Sequence, residues 1–331
     1  SGTWSVAATP DRYSSLRESM EKALEGKATL LYAQGCNVVY DEQEQKDGEL
    51  GKTITRGDDA QMEAEALEVA RQADVIVCAM GETADMSGEC ASRTDLRMPD
   101  AQRHLLAQLA RTGKPIVLLN FSGRPTVLTW EQEHLPAIMN VWFGGSEAAD
   151  AICDVIFGDK VPCGKLTASM PKTTGQEPLY YNHQNTGRPV PDDNPRFAKF
   201  ASNYLDVRNG ALYPFGYGLS YTTFEYGPLQ ISADHTATVR VTNTGSRAAD
   251  EIVQLYIRDK VASISRPVKE LKAFRRIHLA AGESQDVSFQ ITPDMLKFYN
   301  ADLQYVLEPG EFDIMVGPNS RDTKNGTISV K

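Results

Sequence analysis

The chain has 331 residues, enough for about two domains that each bury a core. Its 41% apolar and 24% charged content is that of an ordinary globular protein, and no run of about eighteen apolar residues exists to cross a membrane as a helix. The net charge of −10 argues against a nucleic-acid partner, whose phosphates demand a basic face.

Tyr13–Leu24 sets Leu16, Met20, Ala23 and Leu24 at helical spacing and stops at Gly26. Residues 1–12 are too short and polar to supply a strand before this helix, so a βα unit is expected to lack its leading strand. Ala28–Ala33 reads as a short strand and residues 37–58 as a long polar loop. Asp59–Gln72 is predicted as an amphipathic helix feeding the all-apolar run Val75–Met80, which reads as a parallel strand buried on both faces. A helix over Pro99–Arg111, a strand over Pro115–Asn120, a strand over Ala137–Phe143 and a helix over Ser146–Phe157 complete the alternation. That pattern predicts a parallel sheet with flanking helices.

Residues 159–211, rich in Pro, Asn, Gly and Tyr, read as an extended segment wrapping the surface. From Leu229 the period changes to two. Thr236–Thr242, Ile252–Asp259, Glu270–Ile277, Gln285–Ile291 and Phe312–Val316 are expected as strands, with turns at Asn243–Gly245 and Ala281–Gly282. Short strands at roughly ten-residue spacing predict a β-sandwich.

The five cysteines are odd in number, scattered and without CxxC spacing, which predicts free thiols, with Cys78 and Cys153 as small core residues. Cys90 has no histidine near it in sequence, as a cysteine nucleophile would need. The five histidines are too dispersed for a metal site, and no Gly-x-Ser-x-Gly is present. Gly144-Gly145-Ser146 can be an anion cradle or, more simply, a tight turn with Ser146 as N-cap.

The loop Gly81–Pro99 leaves the carboxyl end of a predicted parallel strand, where such sheets form their ligand crevice. It holds Glu82, Asp85, Glu89, Arg93 and Asp95. By spacing alone, these charges are as readily a solvated loop as a site. The aromatics of Leu212–Tyr226 are open to two readings in the same way, as a sugar-stacking platform or as packing.

Three stretches are more specific: LYPFGYGLSYTTFEY (Leu212–Tyr226), VTNTG (Val241–Gly245) and SRPVKELKAF (Ser265–Phe274). On these the chain resembles the C-terminal part of a family-3 glycoside hydrolase, in the bacterial periplasmic branch of the β-glucosidases and β-xylosidases. The resemblance implies an α/β-sandwich domain over 1–170 without its first strand, a wrapping linker over 171–226, and a fibronectin type III-like β-sandwich over 227–331. It implies an exo-acting, configuration-retaining enzyme on a β-linked oligosaccharide or glycoside, periplasmic or secreted, with no cofactor, no metal, no nucleic acid and no membrane.

In that family a general acid/base glutamate lies in a Glu-x-x-(x)-Arg context after this strand. GECASRTDL (Gly88–Leu96) matches it with Glu89 as the glutamate, Glu82 as the alternate, and Arg93 positioning the loop by pairing with Asp95 or Glu82. The nucleophilic aspartate belongs to an N-terminal β/α barrel that nothing here resembles. The resemblance therefore makes that barrel a partner, predicts inactivity for this chain alone, and predicts that the loop Gly81–Pro99 stands exposed. The alternative is a free-standing carbohydrate-binding or interaction module.

Overall fold

A reciprocal cap sets the first boundary: Ser15 Oγ accepts from Glu18 N at 3.2 Å, and the Glu18 carboxylate accepts from Ser15 N at 2.7 Å. Helix α1 therefore runs Leu16–Leu24, and the chain leaves it through Gly26 at φ 69°. The computed structural model describes residues 13–47, 55–83, 86–193 and 197–331. Asp85, part of the expected 37–58 loop, and the segment 1–12 on which the lost strand was argued lie outside them.

Two expectations in this region are overturned. Ala28–Ala33 is not a strand: among the described residues it has no ladder partner, and Tyr32 stands 56% exposed beneath the Arg17 guanidinium, 4.5 Å from its ring centroid. Apolar β-branched or aromatic content favours a strand only where a neighbour completes the hydrogen bonds. Within the supposed loop 37–58, Glu42–Asp47 forms a short helix, α2, because Asp41 Oδ1 accepts from Glu44 N at 2.7 Å and Lys46 pairs with Glu42 at 2.6 Å.

Helix α3, Asp59–Gln72, occupies its predicted span, with Asp58 accepting from Gln61 N as N-cap. Strands β1 (Ile76–Gly81), β2 (Ile116–Phe121) and β3 (Ala137–Asn140) form a parallel sheet in the order β1-β2-β3, with α4 (Asp100–Ala110) connecting the first two. Leu105, Leu106 and Leu109 of α4 meet Ala66 and Ala70 of α3 and Cys78 and Met80 of β1 in one core. β1 is buried on one face rather than both: Cys78 and Met80 are covered while Ala79 on the other face is exposed. A short α5 (Thr129–His134) precedes β3; six residues are too few to show a helical period. Helix α6 (Ala148–Ile156) starts later than expected, with Glu147 rather than Ser146 at its N-cap and no side-chain cap. The reason is the turn before it, where Trp142 and Gly145 both take positive φ and Ala148 N donates to Gly145 O.

The described residues divide into two compact units, one reaching to Lys160 and including Lys172–Gly175, the other comprising Val161–Pro171 and Gln176–Lys331. The strands of the second unit pair antiparallel. Its strands are β4 (Phe224–Tyr226), β5 (Gln230–Ile231), β6 (Thr236–Asn243), β7 (Ala249–Asp259), β8 (Glu270–Leu279), β9 (Ser284–Gln290), β10 (Phe298–Tyr299), β11 (Tyr305–Val306), β12 (Gly310–Gly317) and β13 (Lys324–Val330), with a helical turn α7 (Pro293–Leu296) before β10. One sheet runs β13-β12-β7-β8; in the other, β6 pairs with β4 and β5 and with β9. Val239, Val241, Val253, Leu255, Phe312 and Ile314 share the core.

Segments ahead of the strands belong to this unit. Lys165 Nζ reaches the buried Glu251 carboxylate at 3.1 and 3.2 Å, and Tyr226 OH donates to the same group at 2.9 Å. Within the aromatic segment, Phe215 stacks on Tyr181 at 4.2 Å and Tyr213 on Tyr217 at 5.2 Å, so these rings pack. All five cysteines are free, with Cys78 and Cys153 buried.

Candidate active site

Gly81 is where the sheet stops and the loop starts. Its φ of 137° and its closeness to β2, where a Cβ would lie 1.9 Å from Phe121 O, leave room for glycine alone. Gln102 of α4 brackets it, accepting from Gly81 N at 2.7 Å and donating to Gly81 O at 2.9 Å. The buried amide thus satisfies the edge-strand backbone at the point where the loop departs.

Glu82 follows, and its side chain is only 4% exposed. Its carboxylate accepts from Ser122 Oγ at 2.7 Å and Arg124 Nε at 3.1 Å, with Arg93 Nη1 at 3.5 Å. A carboxylate buried with two guanidinium groups and a hydroxyl is fully occupied as an ionic anchor. Of its two expected partners Arg93 pairs with the Glu82 carboxylate; to Asp95 it donates only from Nε to the backbone carbonyl, at 3.2 Å. The Asp95 carboxylate is gripped by Arg97 instead, at 2.6 to 3.0 Å, and these hydrogen bonds hold its pKa down at about 2.

Glu89 lies at the loop tip, exposed, between two residues of positive φ: Gly88 at 148° and Cys90 at 60°. Among the described residues the loop is not exposed throughout, contrary to expectation: Ser87 is 2% exposed and Glu82 and Arg93 are covered, while Gly88–Cys90, Ser92, Thr94 and Arg97 face solvent. Loops from all three strands meet here. A Cβ on Gly123, after β2, would strike Ser87 Oγ at 2.3 Å and the Phe143 ring, after β3, at 2.5 Å. This is the crevice at the carboxyl ends of a parallel sheet.

Gln102, Ser122 and Arg124 were missed in sequence. The signal for the last two was available: Ser122-Gly123-Arg124 follows β2 as Glu82 follows β1, and the crevice rule applies to every parallel strand. Gln102 gave none, being one polar residue on an amphipathic helix. Among the described residues, no cluster of three His, Cys, Asp or Glu side chains could hold a metal.

Residues 1–221 match the glycosyl hydrolase family 3 C-terminal domain, and residues 251–320 match the fibronectin type III-like domain. The chain belongs to glycosyl hydrolase family 3. It is 41% identical to the periplasmic beta-glucosidase of Salmonella typhimurium over 99% of this chain and 44% of that protein. With a beta-xylosidase of Formosa agariphila it shares 36% identity over 97% of this chain and 42% of the relative. The solved beta-glucosidase of Listeria innocua superimposes with a TM-score of 0.83 at 34% identity, covering 99% of this chain and 43% of that one. That enzyme has been crystallised in complex with glucose. The family-3 chain described here spans less than half the length of these relatives. Its fold is the α/β parallel-sheet unit followed by the fibronectin type III-like β-sandwich. No described helix is long and apolar enough to cross a membrane.

Proposed function

We propose that this chain supplies the acid/base half of a retaining, exo-acting β-glucosidase or β-xylosidase site, with Glu89 as the proton donor. The observation that carries the reading is the contrast between the two glutamates of one loop. Glu82 is buried and committed to Ser122, Arg93 and Arg124, whereas Glu89 is presented to solvent at the tip, above the carboxyl ends of the parallel strands. A proton donor has to reach a glycosidic oxygen; a saturated ionic anchor cannot.

Retaining hydrolysis needs a second carboxylate about 5–5.5 Å away as nucleophile. A barrel domain contributes it, attacking the anomeric carbon while Glu89 protonates the departing oxygen. Glu89 then takes a proton from the water that releases the sugar. The periplasm or the secreted space is the compartment suggested by the Salmonella relative's name.

Two measurements test this. The chain alone should not turn over a nitrophenyl β-glucoside, because one carboxylate cannot complete the mechanism. In the enzyme that carries this chain beside its nucleophile domain, Glu89→Gln should slow an alkyl glucoside by about 10²- to 10⁴-fold and a nitrophenyl glucoside far less, since only the first needs a proton to leave. Equal slowing of both substrates, or this dependence in Glu82→Gln instead, refutes the assignment.

A further inference from the structure

One guanidinium touches both sides of the loop tip. Arg124 Nη2 donates to Met86 O at 2.5 Å and to Ala91 O at 2.6 Å, carbonyls that lie three residues before and two after Glu89. Its Nε meets the Glu82 carboxylate at 3.1 Å, which Ser122 Oγ holds at 2.7 Å while Ser122 also accepts from Arg124 N at 3.1 Å. The Arg124 side chain is 19% exposed and that of Glu82 4%, so the pairing operates out of bulk water, where charge-assisted hydrogen bonds keep their strength.

We propose that Arg124 is a positioning residue for Glu89: by bracketing the carbonyls of Met86 and Ala91 it fixes the loop tip, with Glu82 as the counter-ion that fixes Arg124. The inference rests on Glu89 as proton donor. Arg124 spends its guanidinium on backbone carbonyls and the Glu82 carboxylate. The tip requires such a brace. Cys90 sits at φ 60°, a left-handed conformation that strains a non-glycine residue and persists only when the surroundings impose it.

Lysine cannot replace this arginine. A planar fork can serve three acceptors in a fixed arrangement, whereas an ammonium on a flexible stem keeps the charge and loses the arrangement. Arg124→Lys therefore separates ionic stabilisation, which it retains, from positioning, which it does not.

Two readouts test the proposal. On this chain, hydrogen exchange of amides 87–91 should quicken at least tenfold in Arg124→Lys while β1 and β2 keep their protection and the melting temperature stays near that of the wild type. In the active enzyme, Arg124→Lys should slow the alkyl glucoside by about 10- to 100-fold, the scale of a displacement of about 1 Å, and the nitrophenyl glucoside little. Because Arg124 acts through Glu89, that effect should vanish in a Glu89→Gln background. Unchanged exchange at 87–91, equal slowing of both substrates, or an undiminished effect in the Glu89→Gln background overturns the proposal. Glu89→Gln itself showing no leaving-group dependence overturns the acid/base reading beneath it.

Discussion

At the scale of single residues, the site depends on positions that carry no chemistry. Gly81 holds a φ of 137° with Phe121 O where its Cβ would be. Gly81→Ala must push β1 and β2 apart or unseat Gln102, and should cost on the order of 2–4 kcal/mol of stability by urea unfolding. Cys90 presents the reverse case. Cys90→Gly should relieve its left-handed strain and raise the urea midpoint while freeing the loop tip, by no more than about 1 kcal/mol. A midpoint that fell instead would mean the Cys90 side chain packs where its exposure says it does not. A motif named Glu89 before any coordinates, with Glu82 as its rival; the Arg124 that pairs with Glu82 is 42 positions away from it and carried no such mark.

At the scale of an element, α5 contains a buried acid. Glu131 is 3% exposed, and burial pushes its pKa above the ordinary 4.5, opposed by its own backbone hydrogen bond and by Arg103, His134 and Arg97. The folded state then holds a proton that the unfolded chain has already released, so stability falls as pH rises from about 4.5 through the folded pKa, and is level above it. Glu131→Gln removes that slope. Its gain over the wild type should be larger at pH 7.5 than at pH 4.5, measured by urea unfolding at each pH. A gain of the same size at both values would show that the ionised carboxylate is accommodated without cost. The helices that periodicity named, α1, α3, α4 and α6, run nine residues or more and have an apolar side; α2 and α5, at six residues each, were invisible because their stability comes from a cap, an ion pair or packing rather than from an apolar stripe.

At the scale of the whole molecule, the second unit is larger than its strands. Lys165 and Glu251 form a buried pair 86 residues apart in sequence, completed by the Tyr226 hydroxyl. Glu251→Ala leaves an unpaired buried ammonium and should destabilise this unit by about 3–5 kcal/mol, whereas Glu251→Gln combined with Lys165→Met should recover most of the loss. Residues 161–331 expressed alone should fold cooperatively, and residues 227–331 alone should melt at a lower temperature, because Glu251 then lacks both Lys165 and Tyr226. Equal melting of the two fragments would show that 161–226 contributes nothing to the sandwich.

The sequence by itself determined the elements with a period. The alternation after Leu229 points to an antiparallel sandwich and the amphipathic spacing of Asp59–Gln72 to a helix, because each segment carries one continuous apolar face at the period of its element. A long motif likewise marked Glu89. Only the tertiary structure decided that Ala28–Ala33 is not a strand and that Ala79 of β1 is exposed, since strand pairing and burial are properties of neighbours and not of a segment. It alone separated the two glutamates. Burial and partners assign Glu82 to Arg93, Arg124 and Ser122, and those contacts form where loops from different strands converge, a coincidence in space that no spacing along the chain encodes.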